Sequence, residues 1–246
     1  INFASCLTEN LSYVSRIKVS KTDVIDNNEN NKKMISSYLA LLVEKMGNFQ
    51  IIMRFLPLLF LYVFILFAAQ TDIFQGDEGR YVMYATNLSK GYYSPEGNIY
   101  LWNGPGYPIV LLPFVILKLP WLAAKLLNPL FLFIAIIYFY YTLRFYMKER
   151  PALFFSYLLG IYPPFYRYIH WLLTEQLAIF LVCGFLYHFC KLHHVNRNSR
   201  THILIASACL GYLALTKVFF GYVILRNFRK SIFEDGFENN FQGLLI

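Results

Sequence analysis

Along the chain, long apolar runs alternate with polar intervals. The first run, Ile51 to Ala69, is interrupted only by Arg54, whose aliphatic stem lets its charge reach an interface. Further runs cover Leu122 to Leu143, Ala152 to Tyr162 before Pro163 and Pro164, Leu172 to Cys190, and Ile203 to Leu225. A helix needs roughly 20 apolar residues to cross a hydrocarbon core of about 30 Å. The pattern therefore predicts spans at about 51–69, 122–143, 152–164, 172–190 and 203–225. The last run carries Lys217 near its middle, where a charge costs about 2.5–3.5 kcal/mol on insertion scales. Two shorter helices turning near Lys217 are expected there.

The longest polar interval, Gln75 to Pro108, reads QGDEGRYVMYATNLSKGYYSPEGNIYLWNGPGYP. Tyr81, Tyr84, Ala85 and Leu88 fall at i, i+3, i+4 and i+7, the signature of a short amphipathic helix, and Gly91 is positioned to stop it. Asp77 and Glu78 stand at its head, both expected to point toward the start of the apolar face. The following YPIVLLPFVILKL, residues 107–119, is short and holds Pro108 and Pro113, which predicts a re-entrant or interfacial segment rather than a crossing.

Composition agrees with a membrane chain. The 246 residues are 57% hydrophobic and 19% aromatic, with a mean hydropathy of +0.44, which excludes an ordinary soluble domain. The fold class expected is an all-α polytopic membrane protein. The net charge of +8 is read as orientation rather than as a nucleic-acid surface, because Lys and Arg collect in cytoplasmic loops. Lys45 and Arg54 put the N-terminus in the cytoplasm, and so do Arg144, Lys148 and Arg150 for their loop and Lys191, Arg197 and Arg200 for theirs. Residues 71–120 then form one outer loop. FAAQT lacks a good small-x-small cleavage site, so the first span reads as an uncleaved anchor. Residues 1–45, with the run DNNENNKK, cannot pack a core; with Met46 and Met53 as natural starts, they are expected to be an upstream extension. Residues 46–225 form the membrane module, and the polar tail 226–246 is expected to be truncated or out of frame. The four cysteines show neither disulfide nor zinc spacing, and Cys183 and Cys190 read as small apolar side chains.

Each polar residue has two readings. Asp77 caps a helix and Glu78 favours its dipole, or the pair does chemistry. Glu175 caps the span after Thr174, or it binds a ligand. Arg167 anchors at headgroups, or it meets a phosphate. Lys217 is a functional candidate by its intramembrane position alone. His170 beside Trp171 reads as interfacial, and His188, His193 and His194 as an inner-interface cluster. The tryptophans and tyrosines form an aromatic belt.

The membrane-proximal Asp77-Glu78, Tyr81 four residues after the Asp, Ala85, Gly91-Tyr92 and the later GPGYP together resemble the first outer loop of the GT-C glycosyltransferases. The resemblance is to the protein-mannosyltransferase-like and RgtA/B/C/D-like bacterial branch. HWLLTEQLAIFLV, residues 170–182, is similar to that family's second acidic site, and LGYLALTKVFF, residues 210–220, to its Leu-Thr-Lys segment. The likeness covers roughly residues 51 to 225, by pattern. It implies GT-C-like transmembrane helices with an outer loop carrying interfacial helices. It also implies transfer of a sugar from a polyprenyl-phosphate donor to a lipid, glycan or protein acceptor on the outer face of a bacterial inner membrane. Asp77, with Glu78, is then the catalytic candidate, as general base or as the group orienting the acceptor hydroxyl. Glu175, Lys217, Arg80, Tyr81, Tyr107 and Arg167 are the substrate-binding candidates, the cations for the donor phosphate. Trp102 is a candidate for stacking on a sugar, and a divalent cation has Glu78 and Glu175 as candidate ligands. The chain reads as an N-terminal fragment, inactive alone. The alternative is a non-enzymatic transporter or channel fragment whose polar path is lined by Asp77, Glu175 and Lys217.

Overall fold

A computed structural model describes residues 49–71, 73–94, 103–194 and 200–222. The flanks 1–45 and 226–246, Trp102 and Arg197 lie outside the described residues. All regular structure among the described residues is helical. The chain divides into two compact units, residues 1–54 and 55–246. Of the first, the described part is the opening of helix α1, where Phe49 and Met53 are exposed.

Helix α1 spans Phe49–Ala68. It is followed by α2 (Glu78–Ser89), α3 (Gly106–Ile116), α4 (Trp121–Lys125), α5 (Leu127–Leu143), α6 (Glu149–Gly160), α7 (Pro163–Tyr166), α8 (Glu175–His194) and α9 (Arg200–Thr216). Three stretches are long and apolar enough to cross a membrane: Phe49–Ala68, Trp121–Leu143 and Glu175–His194. At 152–164 the chain holds the 12-residue α6 and then turns into α7. Twelve residues rise only about 18 Å, well short of a hydrocarbon core. At 203–225 the 17-residue α9 stops at Thr216; Lys217 is non-helical, and residues 218–222 turn helical again.

From Phe55 onward, α1 buries one stripe, Phe55, Leu58, Tyr62 and Leu66, while Phe60 and Phe64 on other faces are each 69% exposed. A helix beside water would carry polar residues on that outer side. Only 22% of the α1 window is buried, so much of its apolar surface faces outward and calls for apolar surroundings. The buried stripe meets α5 and α6: Phe55 packs on Tyr140 and Tyr157, with ring centroids 5.5 and 5.3 Å apart. The Tyr62 hydroxyl donates to the Gly160 carbonyl at 2.7 Å.

Helix α5 packs along α8, α8 along α9, and α2 on α3, while α3 reaches α9. The core where these meet is built from Tyr81 and Ala85 of α2, Tyr107 and Leu111 of α3, Leu177 and Leu181 of α8, and Leu213 of α9. The break between α4 and α5 has a local cause. Pro129 lacks an N–H, and its ring crowds the carbonyl four residues back, that of Lys125. The chain makes its turn at Leu126, leaving Lys125 at the junction.

Candidate functional site

Gly76, at φ +56°, turns the chain into α2. The two acids that follow part company. Successive helical residues lie about 100° apart, and here that angle separates core from surface. Glu78 is fully buried. Asp77 is half exposed and pairs with the similarly exposed Arg80. The expected common orientation of the two acids is therefore not what the chain adopts. Nor does Asp77 cap α2 through its side chain: its backbone is already helical, so the carboxylate does not reach the free N–H groups of the first turn. The far end follows a glycine stop, with Gly91 at φ +89° and the Tyr92 N–H donating to the Asn87 carbonyl at 3.2 Å, as in a Schellman motif.

Glu78 is held on both oxygens. Oε2 accepts the Gln75 N–H at 2.8 Å. Oε1 accepts the Leu172 N–H at 2.7 Å, joining α2 to the α7–α8 connection. Lys125 Nζ lies 4.0 Å from Oε1 with its side chain only 4% exposed, and it donates to the Thr71 carbonyl at 3.0 Å. Asn128, one turn on, donates from Nδ2 to the carbonyls of Ile169 at 3.0 Å and Trp171 at 2.6 Å. The segment 169–172 is thus fastened to α5 by Asn128 and to α2 by Glu78. Sequence reasoning passed over Lys125 and Asn128. The available signal was two polar residues in the opening turns of an otherwise apolar run, a placement that demands a partner.

Glu175 opens α8 and Lys217 follows α9, and their side chains meet: Nζ donates to Oε1 at 2.9 Å, with both groups partly exposed. The Gly-Pro-Gly turn before α3 seats against this end of α9. A Cβ on Gly104 would overlap the Leu215 carbonyl, and one on Gly106 would overlap Thr216 Oγ1 and lie 2.8 Å from the Thr216 nitrogen. The Tyr212 hydroxyl donates to the Gly106 carbonyl at 2.8 Å. Only glycine permits this approach of backbone to backbone.

Tyr107 lies within electrostatic reach of both Glu78 and Glu175. It is buried and packs edge-on against Tyr81 at 5.3 Å. Its hydroxyl is pushed well above the ordinary range by burial first, then by the neighbouring Glu78, Tyr81 and Glu175. The Tyr81 hydroxyl accepts from Asn103 Nδ2 at 2.9 Å. Arg167 stands apart at the surface, its guanidinium over the Tyr168 ring at 5.4 Å. Of the sequence-predicted residues, then, Glu78, Tyr81, Tyr107, Glu175 and Lys217 gather around one core, while Asp77 and Arg80 pair at its margin. His170 joins the first group electrostatically: burial and then Lys125 lower its pKa, against an opposing pull from Glu78.

The surroundings are rich in unsatisfied polarity. Seven buried side-chain polar atoms among the described residues lack a hydrogen-bond partner, and they belong to Asn103, Asn128, His170, Trp171, Thr174, Glu175 and Gln176. Such atoms are few in native interiors, and here five of the seven lie within residues 170–176. Among the described residues, no group of three or more His, Cys, Asp or Glu is arranged to hold a metal ion. No family model, curated protein or solved structure matches this chain.

Proposed function

We propose that the chain is the acid-bearing part of a GT-C-type membrane glycosyltransferase that takes a sugar from a polyprenyl-phosphate donor. The observation that carries this reading is convergence. Parts of four segments that resemble the family, carrying Tyr81, Tyr107, Leu177 and Leu213, lie apart in sequence and meet in one core, with Asp77 half exposed at its margin. Unpartnered polar atoms at residues 103, 128 and 170–176, beside helices apolar enough to cross a membrane, suit a substrate with a hydroxylated head and a lipid tail.

The two acids then take different parts. Glu78 accepts two backbone N–H groups and faces Lys125, which makes it a positioning residue. Asp77, partly exposed beside Arg80, is the general base: it takes the proton of the acceptor hydroxyl as that oxygen attacks the anomeric carbon and the bond from that carbon to the phosphate oxygen breaks. The departing phosphate gains negative charge, for which Arg80, beside Asp77, and Lys217, beside Glu175, are the candidate cations. The acceptor, a lipid, glycan or protein, is met on the outer face of a bacterial inner membrane, with the N-terminus in the cytoplasm.

The test uses membranes carrying the full-length protein that contains this chain, a radiolabelled polyprenyl-phosphate sugar and a photoactivatable analogue of that donor. Wild type should crosslink the analogue and transfer the label. Asp77→Asn should crosslink as well but lose transfer, and Lys217→Met should lose crosslinking. Transfer retained in Asp77→Asn would remove the base assignment. A folded chain that never crosslinks the donor, yet passes ions or solutes across vesicles, would favour the transporter or channel reading.

A further inference from the structure

We infer that the outer side of the α5–α6 pair is a binding site for one anionic phospholipid, with its phosphate at the 144–150 turn. This site is distinct from the polar end around Tyr107 and does not depend on sugar transfer; it requires only that the long helices lie in a bilayer.

Two adjoining features make the site. The first is an apolar groove of about 470 Å³, within the roughly 300–1,000 Å³ of small-molecule sites. Its walls are Phe139 and Leu143 of α5 and Phe155, Leu158 and Leu159 of α6, and Met147 forms its end at the turn. Phe155 and Leu158 are 45% and 51% exposed, so the groove is open along its side. Tyr162 and Phe165, packed edge-on at 5.2 Å, complete its lining.

The second feature begins one residue past Met147. Lys148, Glu149, Arg150 and Pro151 line a separate hollow of about 490 Å³. Arg144 belongs to the same turn, where its guanidinium donates to the Met147 carbonyl at 2.9 Å. Three cations stand against one carboxylate over seven residues. An occupant must therefore be apolar along most of its length and anionic at one end. A detached phosphate would leave the groove unused, and a neutral lipid would leave the cations unanswered. Basic pockets at the cytoplasmic end of helix pairs hold anionic headgroups in this way.

The experiment follows thermal unfolding of the detergent-solubilised full chain with phosphatidylglycerol, phosphatidylcholine or glycerol 3-phosphate added. Phosphatidylglycerol should raise the midpoint by on the order of 5 °C, with little response to the other two. Lys148→Gln with Arg150→Gln should abolish that selective rise without moving the midpoint in detergent alone. Leu158→Trp, which fills the groove, should reduce the phosphatidylglycerol that co-purifies, read by native mass spectrometry. Equal shifts with phosphatidylcholine, a full response to glycerol 3-phosphate, or an undiminished selective rise in the charge variant would each overturn the inference.

Discussion

Glu78 and Leu172, 94 positions apart in sequence, are joined by a 2.7 Å hydrogen bond from a backbone N–H to a buried carboxylate. The bond fixes where the α7–α8 connection enters the bundle, and Glu175 follows three residues later. Charge-assisted bonds of this kind contribute about 1.5–3 kcal/mol. Leaving Lys125 buried beside an uncharged partner costs more again. Glu78→Ala should therefore destabilise the chain by roughly 3–5 kcal/mol. Lys125→Met added to it should recover part of that loss. Chemical denaturation in detergent measures both; simple additivity of the two substitutions would show that the residues do not interact.

The glycines divide into two kinds. Gly104→Ala and Gly106→Ala drive a methyl into the backbone of Leu215 and Thr216, and each should lower stability by roughly 2 kcal/mol or more. Gly79, inside α2, has nothing within 4 Å of a built Cβ. Gly79→Ala should raise stability by about 0.5–1 kcal/mol through helix propensity. A comparison of the three unfolding midpoints decides the matter, and the opposite signs make it hard to mistake.

Lys217 and Glu175 are close but partly exposed, so their ion pair contributes only about 0–1 kcal/mol. Lys217→Met should barely shift the unfolding midpoint while weakening retention of a polyprenyl-phosphate analogue by tenfold or more. A large loss of stability with unchanged retention would make the pair structural.

His170 has its pKa lowered by burial and by Lys125, so the folded chain holds it neutral where the unfolded chain would already be protonated. Its contribution is complete above the ordinary histidine pKa of about 6.5 and is lost as pH falls through the lower folded value. Unfolding midpoints should decline with acidification below about pH 6.5, and His170→Asn should flatten that decline. A midpoint that rises on acidification would contradict the sign.

Much of the helical layout is legible as pattern. The 3.6-residue spacing of Tyr81, Tyr84 and Ala85 marks the buried face of α2, and Gly91 marks its end. The charge at Lys217 coincides with the end of α9. The orientation of the acids is not legible in this way, because Asp77 and Glu78 are chemically alike and adjacent. Which one turns inward depends on the phase of α2 against Leu172, a contact no local window contains. Lys125 is hidden by the apolar run around it, and its approach to Glu78 spans 47 positions of sequence, again beyond any local window. The Glu175–Lys217 pairing likewise depends on how α8 and α9 lie side by side.

The spread of these groups along the chain also sets an order of biosynthesis. Glu78 leaves the ribosome first, Lys125 follows, and the bond to Leu172 forms only once that residue emerges. Glu175 follows at once, yet its cation arrives only after α8 and α9 have been made. The link at Leu172 can therefore latch while the nascent chain is still growing, and the ion pair at Lys217 closes last. Until it closes, the carboxylate at the head of α8 lacks its cation, and a pause in translation between residues 175 and 217 would prolong that state.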